Sequence, residues 1–585
     1  MFHLSINVCK QGDKFIISII LWHSVNADIF LNKPENVLLY DKSLSDIVGQ
    51  RRKVFLKKVL RGVKDMMVLK NYLIGMDCGT TNIKAIIIGE DGKVVAEASR
   101  PSRFLSPGPN QHEQDANEWW SNTIEIFRSL SEQVGFDIIR KIRGISVSSH
   151  TVTMLPVDSA GTPLRNALTY QDNRSSDELQ YIVDAIGYDR FVSIVGGQPA
   201  VAFLPNKILW YKRHEPDLFA RTDCFLQASS YINYKLTGRK TQDIDQASRT
   251  QCLDINTMEW SKEIGDVIGV DLASKLPAPQ LVNDIIGFVT EAAAKVTGLI
   301  PGIPVITGCS DAMASMYATG MSRLGEVGES SGTTSLVFVG SDVKSAPDLP
   351  VVTKPCAIEG MPWVYDAPIQ TSGAAIKWYI DKFAAEERLY AKENGKGIYN
   401  YLNELALESR PGSDGIFFFP YLLGERAPLW NNYARGMLIG MGLDMKRSDL
   451  IRSIFEGTSY SLRHVVETVK ESGAKADVLR ICGGGAKSRT WAQIKASMLK
   501  MPVYLLDETS GDVPVGDALI VGHKVGVFPD LTKAVEQIVK VNEIIQPIDE
   551  WVNAYDKLYP YYVEMYRDLD KDLKRLKSTV DGLLV

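Results

Sequence analysis

Two short stretches of the chain have the composition of phosphate-binding turns. GMDCGTT occupies residues 75–81, and GESSGTT occupies residues 328–334. Each follows an apolar run and precedes a β-branched run, so each predicts a β-hairpin, which on its own is an ordinary turn. Glycine lets a ligand approach the backbone, and threonine hydroxyls and exposed amides donate to phosphate oxygens. Two such tips in one chain predict that a polyphosphate is held from both sides. The predicted contacts are Gly79, Thr80, Thr81, Gly332, Thr333 and Thr334.

Two aspartates stand at the ends of predicted buried strands, where a carboxylate can face a cleft. Asp77 follows the apolar run YLIGM and directly precedes the first glycine turn. Asp311 separates the strand IPVITGCS from the small-residue helix AMASMYATG. Carboxylates in such places accept protons or bind Mg²⁺, which takes one or two carboxylates and keeps most of its waters. The alternative is a helix cap for Asp311 and a self-bonded turn for Asp77.

A third glycine-rich stretch ends another predicted strand. ICGGGAKS occupies residues 481–488. Consecutive glycines let the backbone pack flat against a planar group. On its own, the triple glycine indicates only a sharp turn.

Composition excludes several classes of protein. A chain of 585 residues is too long for one core, which favours two domains with appendages. Its 65 basic and 70 acidic residues are mixed and give a net charge of −5, so no overall field attracts nucleic acid. No apolar run approaches the roughly 20 residues that span a bilayer. Seven cysteines without paired spacing argue against a disulfide framework or a zinc site. We therefore expect a protein of the reducing cytoplasm with a small substrate and no nucleic-acid or membrane partner.

Residues 1–66 differ in character from the rest of the chain. They contain the basic cluster RRKVFLKKVLRGVK at residues 51–64, which has the composition of a membrane-surface or polyanion-binding helix. Met66 and Met67 stand immediately before the first predicted strand. The stronger interpretation is therefore an upstream translation that contributes nothing to the folded core.

From residue 67 onward, strand-like runs alternate with helical patterns, which indicates an α/β fold. DANEWWSNTIEIFRSLSEQV predicts an amphipathic helix with an aspartate at its start, and KIRGISVSSH predicts the strand that follows. Further short apolar runs, each followed by a glycine or polar turn, occur in the second half at IPVITGCSD, VLRICGGG and PVYLLD. The pattern predicts two related domains, residues 67–319 and 320–585, each with its own phosphate turn.

Several motifs resemble, in order, those of the FGGY carbohydrate kinases. Besides the two hairpins they are TYQDNRSSDE, NKILWYKRHEP, GCSDAMASMYATG, FFFPYLLGERAPLWNNYARG and ICGGGAKS. The most diagnostic is GMLIGMGLDMKRSDLIRSIFE at residues 436–456, which resembles the second signature of that family throughout. The first signature is matched less well, because its proline lies one residue too close to Lys207. The resemblance extends from about residue 72 to the C-terminal tail.

The resemblance implies two ribonuclease-H-like domains of the actin and sugar-kinase superfamily, with ATP and sugar meeting in the cleft between them. In that class the two hairpin tips close on the phosphates of ATP. Asp311 matches the general base that accepts the proton of the attacking hydroxyl. Asp77, together with Asp311, is the expected Mg²⁺ site. The expected contacts of adenine and ribose are Gly484, Gly485, Ala486 and Ser488.

The resemblance implies a sugar site at Gln171, Asp172 and Arg174, for which the alternative is a solvated loop. His150 is a further candidate contact, with a purely structural histidine as the alternative. Xylulose-specific members carry Gln-Met-His-Gly where this chain has His-Thr-Val-Thr at residues 150–153, which counts against xylulose. PYLLGERAPLWN is similar to the gluconate kinases. The expected partner is a small sugar, sugar acid or polyol such as xylulose or gluconate. The expected protein assembly is a homodimer.

Two other classes of protein stay open at this point. A nucleotide-dependent switch of the same superfamily would hydrolyse ATP without a sugar acceptor. A nicotinamide-dependent oxidoreductase would also be α/β and glycine-rich, but the chain lacks a G-x-G-x-x-G turn between a strand and a helix. ATP turnover that responds to sugars would exclude the first, and absence of nicotinamide-cofactor binding would exclude the second.

Overall fold

The computed structural model describes residues 4–11, 14–21, 25–31, 71–344, 352–507 and 510–583, and the chain divides into two compact units. In the first unit, Met1–Asn71, three strands form an antiparallel sheet: Leu4–Gln11, Lys14–Leu21 and Val25–Leu31. The basic cluster at residues 51–64 lies outside the described residues. That residues 1–66 contribute nothing to the core stays a prediction.

The second unit, Tyr72–Val585, contains two large mixed β-sheets. The strands of the first sheet are β1 (Tyr72–Cys78), β2 (Asn82–Gly89), β3 (Val94–Pro101), β4 (Ile142–Ser149), β5 (Ile285–Phe288) and β6 (Pro304–Ile306). Their order across the sheet is β5-β6-β4-β1-β2-β3. Strand β1 pairs antiparallel with β2 and parallel with β4, and its apolar run is buried on both faces. Such continuous burial is typical of a central strand covered by helices.

The second sheet repeats this plan. Its strands are β7 (Gly325–Ser331), β8 (Ser335–Ser341), β9 (Val352–Ile358), β10 (Met361–Ile369), β11 (Ala476–Gly483), β12 (Val503–Leu506) and β13 (Val541–Ile545). Their order is β9-β10-β8-β7-β11-β12-β13. Strand β7 pairs antiparallel with β8 and parallel with β11, as β1 does with β2 and β4. The expectation of two related α/β halves is confirmed, while the boundary at residues 319 and 320 stays a prediction.

Eight helices bear on the site. They are α1 (Ala116–Val134), α2 (Leu204–His214), α3 (Ile244–Arg249), α4 (Asp311–Ala318), α5 (Arg447–Glu471), α6 (Arg489–Leu499), α7 (Val513–Lys524) and α8 (Asp549–Leu583). Helix α1 begins where the sequence predicts, because the Asp115 carboxylate accepts a hydrogen bond from the Asn117 amide. Within the described ranges, no helix is both long and apolar enough to cross a membrane.

The remaining elements connect these layers. The other helices are Phe136–Ile139, Ser176–Ile186, Tyr188–Val195, Pro216–Arg221, Ala228–Thr237, Lys262–Ile268, Leu272–Lys275, Glu291–Thr297, Gly373–Lys382, Ala385–Glu393, Ile398–Glu408 and Leu531–Ile538, with 3₁₀ turns at Ser413–Gly415 and Gly484–Lys487. The short strands are Glu113–Gln114, Leu155–Val157, Ala167–Leu168, Cys224–Leu226, Gln242–Asp243, Leu253–Asp254, Glu259–Trp260, Pro279–Gln280, Phe417–Phe419 and Met437–Ile439.

Helix α7 belongs to the second half of the chain, but it packs on strands β1 and β4 of the first sheet and on helix α4. It therefore joins the two halves. A methyl group at Gly75 would lie 1.8 Å from the Pro514 carbonyl oxygen, and one at Gly516 would lie 1.8 Å from the Ala314 carbonyl oxygen. Glycine is therefore required at both positions for this close approach. The start of α4, which carries Asp311, lies beside the end of β4, because Ser310 bridges to Ser149.

Candidate active site

The first Gly-Thr-Thr tip is a tight hairpin turn held by its surroundings. Cys78 pairs with Ile83, and the turn between them, residues 79–82, contains the Gly-Thr-Thr tip. The Thr80 carbonyl accepts a 2.8 Å hydrogen bond from Gln114 Nε2, and the Thr81 carbonyl accepts one of 2.9 Å from the Ser102 amide. Thr81 itself is exposed. The backbone is thus fixed while the threonine side chain faces solvent.

The second tip is held against the start of a helix. Ser331 pairs with Ser335, and the three tip residues between them are exposed. The Gly332 carbonyl accepts from the Gly373 amide at 3.0 Å, and the Thr333 carbonyl accepts from the Ala374 amide at 3.0 Å. Both carbonyl groups are therefore occupied by hydrogen bonds within the protein. A free carbonyl oxygen at the tip would repel a phosphate group. The predicted hairpins are therefore both present, each with an ordered tip.

The two turns differ in charge. Asp77 stands two residues before the first tip glycine, whereas Ser330 stands at the equivalent place in the second turn. The neighbouring Glu329 is buried, and both of its oxygens lie 2.7 Å from Lys495 Nζ. The Ser335 hydroxyl also donates to Glu329 at 2.7 Å. Glu329 is thus neutralised by a buried partner, and only the first turn presents a carboxylate to the site.

Asp77 lies in a group of carboxylates contributed by both halves. Burial raises the pKa of Asp77 well above its ordinary value, and the charges of Asp311 and Asp517 raise it further. The Ser148 hydroxyl lies 3.4 Å from Asp77 Oδ1 and is the one major influence that lowers this pKa. Several carboxyl groups therefore converge on one place with little compensation from the protein, and a cation bound there would favour their ionised forms.

A magnesium ion fits this donor set. Mg²⁺ prefers oxygen ligands and is commonly held by one or two carboxylates, substrate phosphates and water. In the described part of the chain, no group of three or more His, Cys, Asp or Glu residues is arranged to enclose a metal ion by itself. Asp77 and Asp311 would thus share the ion with a nucleotide and with water.

Asp311 is the first residue of α4, but it does not cap the helix. The cap is Ser310, whose hydroxyl accepts from the Met313 amide at 3.1 Å. Asp311 Oδ1 accepts a 2.7 Å hydrogen bond from the amide of Ala312. Burial raises the pKa of Asp311 to about 6. The carboxylate is therefore free of a capping role and has a proton affinity close to that of a neutral-pH base.

The triple-glycine turn lies against the second hairpin. Gly483 ends β11 opposite Ser331, and its φ of +80° is in the left-handed region that favours glycine. A methyl at Gly485 would lie 2.2 Å from the Ser331 hydroxyl oxygen. The turn containing Gly484, Gly485 and Ala486 is thus adjacent to the second tip. The Ser488 hydroxyl donates to Asn403 Oδ1 at 2.7 Å and caps α6, so it is already occupied.

The loop at residues 169–175 is anchored by the buried residues Thr169, Asp172 and Ser175, while Gln171 and Asn173 are exposed. Asp172 is fully buried, and its carboxylate accepts from the His112 amide at 2.7 Å and from Arg174 Nη2 at 2.7 Å. Arg174 also bonds Glu113 and lies over the Trp210 ring, 5.0 Å from its centroid. These contacts occupy the Asp172 carboxylate within the protein. Asp172 therefore holds the loop in place.

Gln171 is exposed beside this buried group, and its Nε2 donates to the Tyr170 hydroxyl at 3.1 Å. His150 is buried directly after β4, and its Nδ1 donates to the Cys78 carbonyl at 2.9 Å. Its Nε2 has no partner among the described residues. Burial lowers the pKa of His150 to about 4, so the ring is neutral. A neutral ring with a free acceptor nitrogen suits a hydroxyl-bearing neighbour.

Three groups escape prediction from the sequence. Asp517 of α7 is fully buried and bonds Ser146 and Ser148 of β4. Lys207 is fully buried, donates to the carbonyls of Thr169 and Ala202, and has a pKa that burial lowers to about 7. Arg249 joins the two halves through Asp366. A single acidic residue in the apolar stretch VPVGDALIVGH is a signal for the first, whereas the sequence offers none for the others.

Comparison with known proteins gives consistent results. The model for the FGGY family of carbohydrate kinases, N-terminal domain, matches residues 72–318, and that for the C-terminal domain matches residues 329–524. A xylulose kinase of Staphylococcus epidermidis is 28% identical over 86% of this chain and 97% of its own length. A gluconokinase of Bacillus subtilis is 27% identical over 88% and 99%. The crystal structure of xylulose kinase from Rhodospirillum rubrum superposes with a TM-score of 0.78 at 28% identity, covering 86% of this chain and all of that one.

Proposed function

Because the chain belongs to the FGGY family of carbohydrate kinases, and is thus an ATP-dependent sugar kinase that phosphorylates an alcohol group, we propose that Asp311 is its general base. The observation that carries this proposal is a half-buried carboxylate that does not cap its helix and stands beside the end of β4. In the proposed step the acceptor hydroxyl oxygen attacks the γ-phosphorus of ATP. The bond to the bridging oxygen breaks, ADP leaves, and Asp311 takes the hydroxyl proton.

The proton affinity of Asp311 suits this role. Its pKa of about 6 leaves the carboxylate mostly ionised at neutral pH while raising its basicity above that of an exposed aspartate. The Ala312 amide bond to Oδ1 fixes the carboxylate, and Oδ2 is left for the substrate. A base held in this way acts without first reorganising its surroundings.

The nucleotide is proposed to lie between the two hairpin tips. Thr81 and Thr334 are exposed at the ends of equivalent hairpins, and the glycine turn at residues 483–485 lies beside the second tip. This arrangement supports phosphate contacts from both halves and an adenosine site on the second half. Mg²⁺, held by Asp77 and Asp311, would neutralise charge on the β- and γ-phosphates when bound.

The proposed acceptor is a small polyhydroxylated molecule, with xylulose and gluconate as the first compounds to test, because relatives named for both match most of the chain, at 28% and 27% identity. Residues 150–153 differ from the xylulose-specific pattern. Val152 adopts a φ of +61°, which is strained for a β-branched residue. Strain of this kind is often kept at ligand sites, which supports an acceptor contact at the end of β4.

We propose a cytoplasmic location as well. The described cysteines, Cys78, Cys224, Cys252, Cys309, Cys356 and Cys482, all have free thiols. Thiols in this number suit a reducing compartment. A homodimer stays a prediction, which sedimentation at several protein concentrations would test.

A coupled assay of ADP release against pentuloses, hexuloses, aldonates and tetritols tests the function. We expect one acceptor class to raise turnover far above the rate with water alone. ATP hydrolysis that no sugar, sugar acid or polyol changes would instead favour a nucleotide-driven switch. The nicotinamide alternative predicts binding to immobilised cofactor, which we expect not to occur.

A further inference from the structure

One contact between the two halves leads directly to the residue before the proposed base. Arg249 is the last residue of α3 in the first half. It bonds the Asp366 carboxylate, on β10 in the second half, through Nη1. It also bonds Asp245 Oδ1 through Nε at 2.8 Å. One guanidinium therefore joins a carboxylate in each half.

The contact continues from Asp245 to the start of α4. Asp245 is fully buried, and its Oδ2 accepts from the Ser310 amide at 3.0 Å and from the Ser310 hydroxyl at 2.5 Å. Ser310 in turn caps α4, whose first residue is Asp311. An unbroken series of polar contacts thus runs from Asp366 through Arg249, Asp245 and Ser310 to the proposed base.

The series is well shielded from water. The side chains of Arg249 and Asp366 are 11% and 9% exposed, and that of Asp245 is fully buried. Charge-assisted hydrogen bonds in such surroundings are stronger and more directional than those at the surface. They therefore transmit a shift of one partner to the next more faithfully than an exposed ion pair would.

The second-half end of the series is tied to the phosphate turn. Asp366 pairs with Phe338 of β8, the strand that leaves the second Gly-Thr-Thr tip. A movement of that hairpin towards a nucleotide therefore moves β10 as well. Lys344 Nζ also crosses the boundary, to the Ile255 carbonyl at 3.0 Å, but this contact does not lead to the start of α4.

We propose that Arg249 is a positioning residue that couples the second-half sheet to the start of α4, so that Asp311 reaches its working place only when β10 is in contact. This proposal rests on the proposed role of Asp311 as base. Because a reacting group displaced by about 1 Å loses roughly a hundredfold in rate, a modest loosening of the series is enough to control turnover.

The first test is Asp366→Asn, which keeps the shape of the side chain and removes the charge that holds Arg249. We expect kcat to fall about 10- to 100-fold while KM for ATP and acceptor stays within about threefold. Arg249→Lys should retain part of the rate. It keeps the positive charge but loses the planar guanidinium, whose separate N–H groups bond both carboxylates. Asp245→Asn combined with Asp366→Asn should be no slower than the slower single variant, since both lie in one series.

Lys344→Met is the matched control, because it removes a contact across the same boundary that does not lead to α4. It should leave kcat within about twofold of the unchanged protein. The proposal is wrong if Lys344→Met lowers kcat as much as Asp366→Asn does. It is equally wrong if Asp366→Asn leaves kcat unchanged.

A second test needs no acceptor. Hydrogen exchange of the Ser310 and Met313 amides, which the series holds, should be faster in Asp366→Asn than in the unchanged protein and unaffected by Lys344→Met. If the protein is silent with all acceptors but exchange changes in this way, the proposed base is wrong and the coupling stands. Unchanged exchange in Asp366→Asn would overturn the coupling, whatever the activity.

Discussion

The Ser148 hydroxyl lies 2.6 Å from Asp517 Oδ2, and this bond joins the first sheet to a helix of the second half. Ser148 is on β4, and Asp517 is on α7. Burial raises the pKa of Asp517 to about 8. The same hydroxyl lies 3.4 Å from Asp77 Oδ1, so residues of both halves surround the aspartate that we propose as a metal ligand. Neither half alone contains the complete site.

Asp311→Asn should separate a base from a structural residue. The substitution keeps size and the Ala312 bond but removes the proton acceptor. We expect kcat to fall by the hundred- to ten-thousandfold that general-base catalysis typically supplies, with little change in substrate affinity. Steady-state kinetics with the true acceptor is the measurement. Near-normal turnover would mean that another group takes the proton.

Asp77→Asn should behave differently, because it weakens the metal site without removing the base. We expect a higher Mg²⁺ concentration for half-maximal rate, together with slower turnover at saturation. The matched control is Ser330→Ala, at the equivalent place in the second turn, which carries no carboxylate. A Mg²⁺ titration of the rate compares the two. An equal shift in both variants would exclude a special role for Asp77.

Gly75→Ala should destabilise the contact between the halves. Its methyl would lie 1.8 Å from the Pro514 carbonyl oxygen, so α7 must move away from β1. Overpacking of this kind costs about 1–3 kcal/mol. The control is Gly332→Ala, whose methyl would lie 3.6 Å from the Thr334 carbonyl oxygen, an ordinary contact. Thermal unfolding should show a lower Tm for Gly75→Ala alone, and an unchanged Tm would contradict the packing argument.

His150 should make folding sensitive to acid. Its folded pKa of about 4 lies below the unfolded value near 6.5, so the unfolded chain binds the proton first and stability is lost as pH falls from 6.5 towards 4. Between pH 7 and pH 5 this amounts to roughly 2 kcal/mol. Between pH 7 and pH 5, the free energy of unfolding of His150→Gln should therefore fall by roughly 2 kcal/mol less than that of the unchanged protein, as measured by denaturant unfolding. An equal loss of stability in His150→Gln and in the unchanged protein would contradict this account.

A chain that starts at Met67 should keep the Tm and turnover of the full chain, because residues 72–585 form a compact unit of their own. The control is a chain that starts at Gly75, which lacks the first three residues of the central strand β1 and should not fold. Calorimetry and the ADP-release assay are the measurements. Loss of stability in the chain from Met67 would show that the leading residues pack on the core.

The sequence alone determined the local features of this protein. The two hairpins, the start of α1 at Asp115 and the location of Asp311 between a strand and a helix all depend on neighbours in the chain, whose spacing and turn residues are legible without tertiary structure. The repetition of one turn pattern also revealed the two related halves. Both hairpin tips and the places of Asp77 and Asp311 in the chain fold were therefore predictable by residue, while their contacts with phosphate and metal stay predictions.

Tertiary structure decided which polar groups meet. Ser148 with Asp517 and Arg249 with Asp366 join residues far apart in sequence, and no periodicity relates them. The sequence places Asp172 in a loop, and only the structure shows that its carboxylate is buried and bonds Arg174; its contact with a substrate stays a prediction. Local sequence preferences determine each turn and helix. Burial and long-range pairing determine the ionisation state of each polar side chain and whether it is available to a ligand. These properties are fixed only in the folded protein, where the two halves pack together at α4 and α7.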